Sequence, residues 1–382
     1  SNTARAYTKL ANGTAWKWVG FLEVLTGFLI TGYYAVVSGW CLQYVYASII
    51  GELHGDANYV ARYFQEFAAD PFRPVLWTVV IFLICHFVII HGVRGGIEKA
   101  SKVMMPLLFI LLLIIVVASC LLPDAGKGVE FLFKPDFGKV DRNVFLNALG
   151  QSFYSMSIGM GCICTYASYF SRQTNLFKSA LQISVIDLLV AVLAGLMIFP
   201  AAFSVGISPD SGPSLIFITL PNVFNKAFAA LPVLGWIISL LFYVLLSVAA
   251  LTSLMSLHEV NTSFFYEELK IDRKKGAWIV TISCAVIGAF CSFSLGATDK
   301  LSWFGKTLFD WFDFITGQVF LPMAGLLTCL FLGWYVPKKI LKDEFTNWGT
   351  LKGRLFGIYF FLIKFVCPIL ILLVFLNQFE VL

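Results

Sequence analysis

Nine stretches of this chain stay apolar for about 20 residues or more, the length a helix needs to cross the roughly 30 Å hydrocarbon layer of a bilayer. They lie near 17–50, 74–93, 103–122, 143–170, 178–205, 234–263, 278–296, 307–336 and 355–377. No long polar block divides them, so the pattern predicts an all-α polytopic membrane protein with one transmembrane domain over 1–382. One stretch is interrupted: from Gly150 to Gly161 it reads Gly-Gln-Ser-Phe-Tyr-Ser-Met-Ser-Ile-Gly-Met-Gly. A helix in lipid satisfies its backbone internally, since an unpaired N–H or C=O is costly there. Glycines and serines in mid-span predict one of two things. Either the helix opens and offers carbonyls and hydroxyls to something polar, or it is a close-packed glycine interface.

Composition supports the membrane reading. The chain is 59% hydrophobic and 13% charged, with a mean hydropathy of +0.84, outside the range of soluble proteins. Trp16, Trp18, Trp40 and Trp77 stand near segment ends, as interfacial anchors do. The cations gather in alternate loops: Arg5 and Lys9; Arg94, Lys99 and Lys102; Arg172 and Lys178; Lys270, Arg273, Lys274 and Lys275; Lys338, Lys339, Lys342 and Lys352. The intervening loops are mixed or acidic, with Glu52, Asp56, Glu66 and Asp70 in one of them. The positive-inside rule then predicts a cytoplasmic N-terminus and a C-terminus outside. The net charge of +5 follows from these loops and needs no nucleic-acid partner.

The nine cysteines lie in or at the ends of apolar segments, where they act as small hydrophobes. The four histidines are scattered, and no paired-cysteine metal spacing occurs. No Walker loop, nucleophile elbow or HExxH is present, and no nucleophile–base–orienter set is supported by spacing. An enzyme is not expected, nor a bound cofactor.

Taken in order, the segments resemble the neurotransmitter:sodium symporter family, especially its bacterial amino-acid-transporting branch. The matches are Gly32-Tyr33-Tyr34 with Trp40, Gly95-Gly96-Ile97-Glu98-Lys99, and Phe131 to Phe137. They continue through Gly150-Gln151 to Gly161, Thr165 to Tyr169, Phe217 to Pro221, Leu251-Thr252-Ser253, Glu267 to Lys270 and Phe312-Asp313-Phe314. The resemblance implies an inverted-repeat (LeuT-type) fold with sites near the bilayer midplane on discontinuous helices, in a multi-pass protein of the plasma (inner) membrane. It begins just before the family's third helix. The expectation is therefore a chain incomplete at its N-terminus, lacking the first two helices. The opening Ser-Asn-Thr-Ala-Arg, with no initiator Met, fits that.

The resemblance also assigns sites. Ala249, Thr252 and Ser253 match one sodium site: one helical turn brings the Ala249 carbonyl beside the two hydroxyls, and sodium, a hard cation, takes oxygen ligands. By the residues alone, Thr252 and Ser253 could equally bond the preceding turn. Ser155 and Asp187 match the other sodium site. A carboxylate at the depth of Asp187 costs at least ~2.5–3.5 kcal/mol unpaired and marks function by default. Relatives place asparagine there, and animal members add a chloride beside it, near the positions of Gln151 and Ser155. The charge of Asp187 is expected to replace that chloride. Tyr34 matches the tyrosine that bonds the substrate carboxylate, and Ile30, Tyr154, Ser155, Ser157, Met160, Ser253, Ser256 and Leu257 match the rest of the pocket. Met160 stands where Phe is common and adapts to irregular shapes, which favours aromatic or branched substrates. Asp313 matches an outer gate. Glu267 with Tyr169 matches an inner one, the partner arginines being expected in the missing part. Glu259 matches a buried acid of unassigned role, and Lys364 reads as a snorkelling or lipid-headgroup residue.

The expected activity is sodium-coupled symport of a hydrophobic or aromatic amino acid by alternating access, without chloride. The partners are that amino acid, sodium and the lipid bilayer. Two alternatives remain at this level. Asp187 and Glu259 could carry protons in a proton-coupled transporter, or the chain, if complete, could be a non-transporting sensor or scaffold.

Overall fold

The computed structural model describes residues 2–171, 173–206 and 215–378; Arg172, one of the cations used to orient the chain, lies outside them. Helix α1 (Thr3–Leu10) starts at Asn2, whose side chain accepts from the Arg5 amide, and leads into the continuous helix α2 (Lys17–Ile50). Next, α3 (Ala57–Ala69) and α4 (Arg73–Ile89) meet at a bend of 74°. Asp70 makes that corner, its carboxylate accepting from the amides of Phe72 and Arg73 at 2.7 and 2.8 Å. Those amides are donors that the first turn of a helix leaves free, and they hold the Asp70 carboxyl below its ordinary range.

A π-helical turn at Val93–Ile97 opens onto α5 (Glu98–Cys120), and α6 (Ala125–Phe133) follows. The interrupted segment becomes α7 (Arg142–Ser155) and α8 (Cys162–Ala167). After α9 (Leu176–Ser204) and the short α10 (Leu220–Ala227) come α11 (Pro232–Glu267) and α12 (Arg273–Phe293). A small hairpin pairs β1 (Ser302–Trp303) with β2 (Lys306–Thr307), Ser302 opposite Thr307. Helix α13 (Leu308–Asp313) then continues through π-helical Phe314–Phe320 into α14 (Leu321–Leu330) and a second π-turn, Phe331–Tyr335. The chain ends with α15 (Lys338–Phe345), α16 (Phe356–Phe361), a π-turn at Leu362–Val366 and α17 (Cys367–Gln378).

Among the described residues, seven helices are long and apolar enough to cross a membrane: Lys17–Ile50, Val93–Cys120, Leu176–Ser204, Pro232–Glu267, Arg273–Phe293, Leu308–Tyr335 and Phe356–Gln378. The other two expected spans are less simple. Near 74–93 the helix has 17 residues, or about 26 Å of rise, slightly short of the hydrocarbon thickness. The stretch 143–170 divides into helices of 14 and 6 residues.

Helix α2 is the centre of the packing, touching α4, α11 and α12. Small residues allow that approach. A Cβ at Gly39 would stand 2.8 Å from the Thr78 backbone nitrogen in α4, and one at Gly288 would stand 2.9 Å from the Gly32 carbonyl oxygen. Several polar groups inside this packing are paired, although Trp40 Nε1, His86 Nε2 and Asn261 Oδ1 are buried without a hydrogen-bond partner among the described residues. Thr31 donates to the Gly27 carbonyl, Asn261 donates to Thr31, and Thr281 bridges His86 and His258.

Candidate functional site

The break between α7 and α8 is a true opening of the helix. Ser157, Gly159 and Gly161 have φ of 53°, 83° and 74°, the left-handed region that stops an α-helix. The end of α7 closes on itself, with the Ile158 amide donating to the Phe153 carbonyl at 3.0 Å and the Ser157 amide to Tyr154 at 3.1 Å. Beyond it, the carbonyls of Met156 to Met160 accept no backbone hydrogen bond among the described residues. A close-packed glycine helix would leave no such acceptors. Glycine is required at 159, because a Cβ there would come within 2.7 Å of the Leu321 carbonyl oxygen. Gly161 is held from α1: Thr3 donates to its carbonyl at 3.0 Å.

The break faces a cavity of about 260 Å³. Its lining unites all nine residues expected around a substrate: Ile30 and Tyr34 from α2, Tyr154, Ser155, Ser157 and Met160 from the break, and Ser253, Ser256 and Leu257 from α11. Cys162 is the tenth lining residue. The lining is asymmetric. Ile30, Met160 and Leu257 are buried apolar groups, whereas Ser155 and Ser253 are exposed hydroxyls. Ser256 is fixed, donating to the Thr252 carbonyl and accepting from Tyr166 at 2.9 Å.

Two groups of oxygens stand where sodium is expected. On α11, Thr252 donates to the Ala249 carbonyl at 2.7 Å. That is the bond open to any membrane threonine, and it brings the hydroxyl and carbonyl oxygens together with the hydroxyl lone pairs left over for a cation. Across α7 and α9, Ser155 donates to Asp187 at 2.7 Å, which joins the second expected pair. Ser155 also lines the cavity, so this pair reaches it directly.

The acids expected as gates have definite partners. Asp313 accepts from the Tyr33 hydroxyl at 3.2 Å, and that hydroxyl lies 3.2 Å from both Tyr154 and Thr316. A second cavity, of about 230 Å³, is lined by Gln151, Tyr154 and Asp313 among others. Tyr154 therefore separates two cavities, and Gln151 faces the second, away from the break. At the other end, Glu267 accepts from the Asn2 backbone amide at 2.7 Å and lies 3.9 Å from Arg5. An arginine of this chain reaches the acid, where the resemblance had placed the partner beyond it. Tyr169, grouped with Glu267 by the resemblance, donates to Glu259 at 2.8 Å. Glu259, fully buried, accepts from both terminal guanidinium nitrogens of Arg273.

Sequence reasoning passed over Tyr33, Cys162, Glu23 and the Glu259–Arg273 pair. Glu23 is a buried acid in α2 that accepts from Tyr7 and Thr328 at 3.1 and 3.0 Å. Its position inside the first apolar stretch was the signal that could have found it.

Comparison with known proteins agrees with this geometry. The family model described as "Sodium:neurotransmitter symporter family" matches residues 59–382. The chain is 36% identical over 380 residues to the uncharacterized sodium-dependent transporter YhdH of Bacillus subtilis, covering 99% of this chain and 83% of that protein. An uncharacterized sodium-dependent transporter of Haemophilus influenzae is 33% identical over 370 residues, covering 95% and 79% respectively. Among solved structures, that of MhsT in complex with L-phenylalanine superposes with a TM-score of 0.88 at 36% identity, over 99% of this chain and 85% of that one.

Proposed function

The chain belongs to the sodium:neurotransmitter symporter family, and from that premise we propose that it carries a hydrophobic or aromatic amino acid across the plasma (inner) membrane, driven by sodium. It is a multi-pass membrane transporter whose co-transported ion is sodium, and an amino-acid substrate is supported by the phenylalanine-bound neighbour. The finer reading rests on one observation: nine residues from three separate stretches line one cavity at the helix break. The apolar floor of Ile30, Met160 and Leu257 suits a hydrophobic side chain, while the break and the Tyr34 hydroxyl suit the charged ends of a zwitterion. Ala249, Thr252 and Ser253 form one sodium site, and Ser155 with Asp187 forms the other.

The cytoplasmic face is the one bearing the cationic loops, the Glu267–Arg5 end. Asp313 and Tyr33 sit at the outer end, and closure alternates between the two. Asp187 brings a fixed negative charge to the second sodium site, so uptake needs no chloride.

The test is uptake by the full-length protein in proteoliposomes. Labelled phenylalanine should accumulate on an inward sodium gradient and remain unchanged when gluconate replaces chloride. Asp187→Asn should make the residual uptake chloride-dependent. Uptake by the wild-type protein that vanishes without chloride contradicts the Asp187 assignment, and uptake driven by a pH gradient in sodium-free buffer contradicts sodium coupling.

A further inference from the structure

Lys364 lies inside an apolar helix, within the π-turn Leu362–Val366 that joins α16 to α17. Facing it is the π-turn Phe331–Tyr335. The two turns are in close contact. A Cβ at Gly333 would lie 2.9 Å from the Lys364 Cα, and the Trp334 indole N–H donates to the Lys364 carbonyl at 3.1 Å. Single π-turns recur at functional positions because they displace a side chain from the helical register. Here the displaced side chain is a cation.

The Lys364 ammonium stands over aromatic rings, 4.4 Å from the Trp334 centroid, 5.7 Å from Phe360 and 5.6 Å from Phe365. Lys338, at the start of α15, approaches the same Phe360 ring at 4.9 Å. Two cations thus converge on one ring. Among the described residues, neither has a carboxylate within ion-pair distance. Ring faces attract an ammonium but carry no net charge, so the pair retains a positive field at the edge of the apolar layer. Beside it, Trp334, Phe361 and Phe365 are exposed.

We propose that Lys338 and Lys364 bind the headgroup phosphate of an anionic phospholipid, whose acyl chains lie along Phe361 and Phe365. A basic pocket between helices at a membrane edge is suited to such a headgroup. The exposed rings favour a lipid over a free anion, which would gain nothing from them.

Native mass spectrometry of the full-length protein, with phosphatidylglycerol and phosphatidylcholine supplied in equal amounts, tests this. Phosphatidylglycerol should be retained selectively. Lys364→Gln and Lys338→Gln should each weaken that retention roughly fivefold, while Lys364→Arg preserves it. Lys275→Gln, a cation elsewhere on the chain, should leave it unchanged. Lys338 is exposed, so its variant keeps the test intact if Lys364→Gln fails to fold. Equal retention of the two lipids, retention unaffected by both glutamine variants, or displacement by inorganic phosphate at the same concentration would each overturn the proposal.

Discussion

The cavity has two walls built on opposite plans. One is continuous: α2 and α11 run 34 and 36 residues without a break, and α2 meets α4 and α12 at glycine crossings that admit backbone against backbone. Its helical backbone is spent on intrahelical bonds, so it offers the cavity only side chains, Ile30, Tyr34, Ser253, Ser256 and Leu257. The other wall is broken. Between α7 and α8 it gives up helical hydrogen bonds, leaving the carbonyls of Met156 to Met160 without a backbone donor among the described residues, and it lines the cavity with Tyr154, Ser155, Ser157 and Met160. The acids follow the same division. Glu259 on the continuous wall is fully buried and locked to Arg273 and Tyr169, whereas Asp187, only half-buried beside the break, accepts from the hydroxyl of Ser155. A rigid wall with satisfied charge and an opened wall with spare oxygens are what a site for a zwitterion and a hard cation requires.

Breaking the rigid wall should have the largest effect. Arg273→Met leaves Glu259 buried without its partner and should cost about 3–5 kcal/mol, read as a loss of folded protein in a thermal-stability assay. Replacing both residues by apolar ones should recover most of it. An Arg273→Met protein as stable as wild type would show that the pair contributes no rigidity.

The broken wall responds differently. Gly159→Ala and Gly13→Ala both force a left-handed residue to carry a Cβ, at φ of 83° in each case, a strain of roughly 1–2 kcal/mol. Only at 159 does the new Cβ also meet a backbone oxygen, that of Leu321; around Gly13 nothing lies within 4 Å. Sodium-driven uptake should therefore fall more than about tenfold in Gly159→Ala, over 1.4 kcal/mol, and stay near wild type in Gly13→Ala. Equal uptake in the two variants would separate the break from function. The smallest effect is expected at the cavity floor. Met160→Phe replaces an adaptable side chain by a rigid ring and should lower tryptophan uptake relative to leucine by roughly three- to tenfold, the range that apolar pockets discriminate. An unchanged ratio would remove Met160 from the pocket.

Much of this contrast was legible in the chain. The interruption at Gly150–Gly161 stood out in the apolar run, although the residues alone left an opened helix and a close-packed glycine interface both open. Helix starts were not read from caps in the sequence; the structure shows Asp141 capping α7 and Asn175 capping α9. The nine cavity residues came from resemblance; from periodicity, Ile30 or Met160 is only another apolar position. What could not be read was which turn of one helix meets which turn of another. Glu259 and Glu267 are two turns apart on α11, about 12 Å of rise, and nothing in the sequence says which of them Tyr169 reaches. Arg273 at the start of α12 draws Glu259 into place, and Tyr169 follows. Cys162 escaped notice because a buried cysteine is most simply a small hydrophobe. Tyr33 was overshadowed by Tyr34, although successive residues on a helix point about 100° apart and so meet different neighbours.

Equilibrium binding of labelled phenylalanine to the purified full-length protein, in sodium and in potassium buffer, most directly tests whether the two walls enclose a sodium-coupled amino-acid site. The account predicts saturable binding in sodium, little in potassium, and weakening by Tyr34→Phe and Ser253→Ala on the continuous wall as well as Ser155→Ala on the broken one. Binding of equal affinity in potassium, or binding indifferent to changes on both walls, would contradict it.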